Sequence, residues 1–139
     1  MTILAFLSIL NTFGFSSKAD TIDYWHVYYN TRKIKEFTYY TDNVITIKSA
    51  TIKATDSISV FFYRDTHCGD CEINLIVDDI EDAQVVKSTG MGIGNALRFP
   101  LTELVSYQQR TGKSQFQVSY FDKLNIYQAK KQKSQLYLR

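Results

Sequence analysis

From Ser57 to Asp79 the chain reads SISVFFYRDTHCGDCEINLIVDD, and this stretch limits the folds open to it more than any other. Side chains of a strand alternate between two faces, so positions two apart share a face. Ile58, Val60 and Phe62 fall on one face of a first strand, and Ile73, Leu75 and Val77 on one face of a second. Pairing Phe62 with Ile73, Val60 with Leu75 and Ile58 with Val77 puts all six on the same side. A slip of one residue would turn one set toward water. The spacing therefore predicts an antiparallel hairpin whose tip, Asp65 to Asp70, has the polar and Gly chemistry of a turn. Phe61, Tyr63 and Ile76 point to the opposite face, so the pair is expected inside a sheet, partly covered on both sides.

The flanking sequence supplies more strands. Trp25, Val27 and Tyr29 alternate within Tyr24 to Tyr29, Asn30 to Lys33 reads as a turn, and Ile34 to Tyr40 reads as the return strand. Its parity shifts between Ile34 and the Phe37/Tyr39 pair, which predicts a bulge. Val44 to Lys48 follows with Ile45 and Ile47 inward, then Ile52 and Ala54 as a short strand or irregular edge. Beyond an acidic turn, Asp78 to Asp82, come strands at Ala83 to Ser88 and Asn95 to Phe99, joined through Gly90-Met91-Gly92-Ile93-Gly94. Pro100 opens a helix with Leu101, Leu104 and Val105 on one face, and Gly112 closes it. Gln115 to Phe121 alternates again, Leu124 and Ile126 extend the pattern, and Leu136-Tyr137-Leu138 is expected as a last edge strand after the basic Lys130-Lys131-Gln132-Lys133.

Short strands separated by turns, with one short crossover helix near 100–111, predict a mainly all-β fold, an antiparallel β-sandwich. The architecture is similar to immunoglobulin-like and fibronectin-like domains at that level only, because the Cys…Trp…Cys spacing of true immunoglobulin domains is absent. An open α+β sheet is the alternative. A chain of 139 residues has room for one such domain.

The first nineteen residues are expected outside that domain. Ile3 to Leu10 is an apolar run of signal-peptide length, and Ser17-Lys18-Ala19 offers small residues at the positions a signal peptidase reads. Cleavage before Asp20 would leave residues 20–139 as a single domain, periplasmic or secreted. The run is too short to span a bilayer, which takes about 20 apolar residues, although no Lys or Arg precedes it. A buried N-terminal strand or helix is the competing reading. Sixteen Lys+Arg stand against 14 Asp+Glu. That balance argues against a nucleic-acid partner, which needs a basic patch.

Both cysteines lie in His67-Cys68-Gly69-Asp70-Cys71. A C-x-x-C is a redox pair, half a zinc site or a plain disulfide. Redox catalysis needs the first thiol at a helix N-terminus, whereas Cys71 runs into a strand. Zinc needs four ligands, and His67, Cys68 and Cys71 are the local ones, with Asp65 or Asp70 in reach. In an exported chain the reading is a disulfide, Cys68 to Cys71. The acidic run Asp78, Asp79, Glu81, Asp82 lacks the spacing of a calcium loop and reads as a solvated turn. Gly90-x-Gly92-x-Gly94 has no helix directly after it and reads as a loop. No nucleophile-elbow pattern occurs, so no catalytic residue, metal or cofactor is assigned.

Ten Tyr and nine Phe remain to be placed. If Trp25, Val27 and Tyr29 fill the core, then Tyr24, His26 and Tyr28 take the other face. The return strand would set either Phe37 and Tyr39 or Tyr40 beside them. That predicts a cross-strand aromatic platform, with Tyr24, His26, Tyr28 and Tyr40 as binding residues and a glycan, a peptide or another exported protein as partner. Two function classes follow: a non-catalytic exported binding or structural module, and a small secreted hydrolase or thiol-redox enzyme whose site forms only in space.

Overall fold

A computed structural model describes residues 23–38, 41, 43–66, 68–122 and 132–139. Residues 1–19, expected as a leader, and Tyr39, Tyr40, His67, Leu124, Ile126 and Lys130-Lys131 lie outside the described residues. The strands are β1 (Tyr24–Tyr29), β2 (Arg32–Thr38), β3 (Val44–Ile47), β4 (Ser57–Tyr63), β5 (Glu72–Asp79), β6 (Gln84–Met91), β7 (Leu97–Pro100), β8 (Gln115–Asp122) and β9 (Gln132–Leu138). One helix, α1 (Leu101–Thr111), stands between β7 and β8, and a 3-10 turn covers Ser49–Thr51; Ile52 and Ala54, expected as a short strand or irregular edge, lie in no strand. The fold is mainly β, with two sheets ordered β2-β1-β4-β7 and β3-β9-β8-β5-β6.

The expected hairpin of β4 on β5 does not form. β4 pairs with β1 and β7 in the first sheet, and β5 pairs with β6 and β8 in the second. Ile58, Val60, Phe62, Ile73, Leu75 and Val77 are nevertheless all buried, in one core cluster, on the side their alternation predicts. Six apolar residues sharing a side satisfy parity equally well when two strands lie edge to edge or face each other from different sheets. Alternation alone cannot choose between these. β1 decides it, because Trp25 opposes Phe62 and Val27 opposes Val60 in its register with β4. Across the core the Phe62 ring reaches Tyr120 of β8 at 4.7 Å between centroids.

The connection from β4 to β5 thus passes between sheets, and so does the one from β6 to β7. The two are tied together: the Gly92 N–H donates to the Cys71 carbonyl at 2.8 Å and the Ile93 N–H to the Cys68 carbonyl at 2.9 Å. Gly92 has φ +82°, and a Cβ there would stand 2.8 Å from Asn95 Nδ2 and 2.9 Å from the Gly69 carbonyl oxygen, so both conformation and contact require glycine. Gly90 and Met91, read as part of a loop, belong to β6.

α1 makes a further crossing, from β7 to β8. It is the helix the sequence predicts, with Leu101 and Leu104 fully buried and Gly112 closing it at φ +74°. β9 departs from expectation. It lies inside its sheet, antiparallel to β8 and parallel to β3, so the second sheet is mixed rather than antiparallel throughout. Leu136 and Leu138 are buried accordingly. Side-chain alternation marks a strand's faces and carries no information on its direction.

Candidate binding face

The first sheet turns one face to the core and the other away from it. On β1 the inward residues are Trp25 and Val27, and the outward ones are Tyr24, His26 and Tyr28, as the alternation predicts. Tyr29 is half-buried at the lower end of the strand, where its hydroxyl donates to the Asp56 carboxylate. The Asn30 amide also donates to Asp56, at 2.9 Å, and burial together with Asp56 pushes the Tyr29 phenol up to about 12.

The neighbours of the three outward residues differ from expectation. Phe37 faces inward and is 3% exposed, so it is not part of the platform, and Tyr40 lies outside the described residues. The bulge in β2 explains Phe37: Val27 opposes Lys35 while Tyr28 opposes Lys33, leaving Ile34 as the extra residue. The aromatic partners come instead from β4. Tyr63 stacks on Tyr24 with centroids 4.9 Å apart and lies 5.2 Å from the His26 ring. Phe61 meets Tyr28 edge-on at 5.2 Å and lies parallel to Tyr63 at 6.5 Å. Tyr24 and His26 are 5.1 Å apart. Five rings therefore form one continuous, half-buried layer.

Polar groups rim the layer on both sides. From β2, Glu36 accepts from His26 Nε2 at 2.8 Å and from Lys33 Nζ at 2.9 Å. Lys33, and then His26, hold the Glu36 carboxyl below the ordinary range, while Glu36 holds the Lys33 amine above its own. From β7, Arg98 Nε donates to the Ser59 hydroxyl at 3.1 Å. Burial, and then Tyr28 and Tyr24 nearby, raise the Tyr63 phenol. Phe61 and Tyr63 were visible in the sequence as outward residues of their strand. Pairing that strand with the wrong neighbour separated them from Tyr24 and Tyr28.

Cys68 and Cys71 stand at disulfide distance, with 5.6 Å between their Cα atoms, in the inter-sheet connection rather than at a hairpin tip. The ligand atoms of Cys68, Asp70 and Cys71 lie within 4.8 Å of one another. With the sulfurs joined, neither cysteine has a thiolate to give a metal.

Asp79 is fully buried rather than solvated. Its Oδ2 accepts from Lys113 Nζ and from the Tyr107 hydroxyl, both at 2.6 Å, and its Oδ1 accepts the backbone N–H groups of Glu81 and Ala83. Lys113 first, then Tyr107, hold this carboxyl well below the carboxylate range. Arg64 and Asp122 make a second buried pair at 3.2 Å. The Asp79 carboxylate is saturated with partners, which suits it to tie elements together. No protein-family model, curated protein or solved structure matches the chain.

Proposed function

We propose that the chain is an exported, non-catalytic binding module that holds carbohydrate on the aromatic face of its first sheet. The observation that carries this reading is the five-ring layer of Tyr24, His26, Tyr28, Phe61 and Tyr63 with polar groups along both sides. A sugar ring has an apolar C–H face and a rim of hydroxyls. Such a face stacks on flat rings, and the hydroxyls meet donors and acceptors at the edge. An extended peptide fits less well. It binds sheets by adding to a free edge, and β1 and β4 have neighbours on both sides.

In this proposal the two sheets form a β-sandwich of immunoglobulin/fibronectin-like architecture, supported by the shared core and the crossing connections. The parallel β3–β9 pair is a departure from that pattern. Export, with loss of residues 1–19, belongs to the same reading. It agrees with cysteines at disulfide distance, since such bonds persist in oxidising compartments. No helix among the described residues is long and apolar enough to cross a membrane.

The test is titration of the chain with neutral β-linked hexasaccharides of glucose and of N-acetylglucosamine, followed by amide chemical shifts. Shift changes should map to β1 and β4. Tyr28→Ala should weaken binding roughly three- to tenfold, the worth of one aromatic contact, with the melting temperature nearly unchanged. Shift changes confined to another surface, or an equal loss of stability in the variant, would remove the face from consideration.

A further inference from the structure

We propose that the groove between β2 and β3, the edge strands of the two sheets among the described residues, is a second binding site, for an anion that carries an apolar body. β2 ends the first sheet and β3 ends the second, both on the same side of the molecule. Between them lies a hollow of about 440 Å³, within the range of roughly 300–1,000 Å³ typical of small-molecule sites. Arg32, Lys35 and Lys48 line it, over apolar surface from Ile34, Ile47 and Tyr29. No carboxylate is among its described lining residues, and none of the described residues forms a salt bridge with any of the three cations.

The bulge in β2 creates this asymmetry. Without it, Ile34 would oppose Val27 and Lys35 would oppose His26, on the aromatic side. The extra residue moves Lys35 opposite Val27, so Lys35 joins Arg32, opposite Tyr29, on the side of the groove. Inward charges on an edge strand also serve to block edge-to-edge association. That role explains neither why Lys48, beyond the end of β3, converges on the same hollow, nor why all three charges have one sign. Like charges gathered at one hollow repel each other, and a bound anion relieves the repulsion. The neighbouring Lys33, on the aromatic side, is by contrast already paired with Glu36. The apolar floor gives a ligand with a hydrocarbon portion an advantage over a bare ion.

The experiment is calorimetric titration of the full chain with decyl phosphate, decanoate, decanol and inorganic phosphate, each below any micelle-forming concentration. Decyl phosphate and decanoate should both saturate one site if the head group need only be anionic, and decyl phosphate alone if the site requires a dianion. Inorganic phosphate and decanol should each bind at least tenfold more weakly. The triple variant Arg32→Gln, Lys35→Gln, Lys48→Gln should lose about tenfold or more in affinity, from roughly two- to fivefold for each exposed charge. Tyr28→Ala should bind as the wild type does, which separates this site from the aromatic face. If circular dichroism shows the triple variant unfolded, Lys48→Gln, outside the strands, carries the test with a two- to fivefold loss expected on the same basis. Absence of saturation, decanol binding as tightly as decyl phosphate, or full affinity in the folded variants would overturn the proposal. Aggregation of the triple variant with no anion binding by the wild type would assign the charges to edge protection alone.

Discussion

Removing the hydroxyl of Tyr120 should make this protein more stable. The side chain is 7% exposed and packs in the middle of the core against Phe62. Its hydroxyl oxygen is buried and has no hydrogen-bond partner among the described residues. Leaving a buried polar group unpaired costs about 1–3 kcal/mol, and Tyr120→Phe abolishes that cost. Against it stands the void left by one oxygen, roughly 10 Å³, which at about 24 cal/mol per Å³ is near 0.2 kcal/mol. The net expectation is a gain of about 1 kcal/mol, or roughly 3–5 °C in melting temperature for a chain of this size.

Tyr120 also gives the prediction a pH signature. Burial, and then the charge of Asp122, raise its phenol above the ordinary value of 10.0. The folded state therefore keeps the proton where the unfolded chain releases it. The wild type loses the associated stability as pH climbs through 10 toward the folded value. Tyr120→Phe lacks this term, so its advantage should widen above pH 10 and stay constant between pH 6 and 8. Urea unfolding of both proteins at pH 7 and pH 10.5 measures both effects. One result would refute the reasoning: a variant less stable than the wild type by 0.5 kcal/mol or more. That outcome would mean that the hydroxyl is satisfied by water, for which the cavity of about 20 Å³ lined partly by Tyr120 has just enough room.

Replacing Cys68 and Cys71 by Ser should lower stability by about 1–3 kcal/mol without abolishing the fold, and thiol titration of the unfolded, unreduced protein should find almost no free thiol. Asp79→Asn should lower the melting temperature at pH 7. Because Lys113 and Tyr107 hold the native carboxyl below its ordinary 3.8, the wild type gives up this stability as pH falls from there toward the folded value, so the difference between the two proteins should shrink in acid; a difference independent of pH would contradict the role given to the ion pair. Protein made in an exporting host should begin at or within a few residues of Asp20, and a soluble product retaining Met1 would remove the leader from the reading.

Local features of the backbone were legible in the sequence because each has a local cause. A parity shift between Ile34 and Phe37 requires an extra residue, and Ile34 is that residue. Pro100 cannot continue a strand ladder from its nitrogen, and Gly112 readily adopts the left-handed conformation that ends a helix, so the span from Pro100 to Gly112 marks a helix before any contact is known. Asp79 was not legible. Its parity continues that of Ile73, Leu75 and Val77, but a charged group on the inward side needs partners, and these, Tyr107 of α1 and Lys113 just beyond it, come about thirty residues later.

The pairing of β4 shows how a local reading can be right about a residue and wrong about its company. Ile58, Val60 and Phe62 were assigned the buried side correctly, and that assignment puts Phe61 and Tyr63 on the other side whichever strand lies next to them. With β5 as the neighbour, those two rings would have faced Ile76, and the aromatic face would have depended on Tyr39 or Tyr40. With β1 as the neighbour, Tyr24 comes opposite Tyr63 and His26 opposite Phe61, so two separate aromatic alternations fuse into one layer. The choice rests on the inner side of the same strands. Trp25 against Phe62 and Val27 against Val60 fill the core of the first sheet, which frees Ile73, Leu75 and Val77 to close the core from the second. The packing that selects the inner pairs therefore also assembles the outer face, and a substitution that loosens Trp25 from Phe62 should disturb both together.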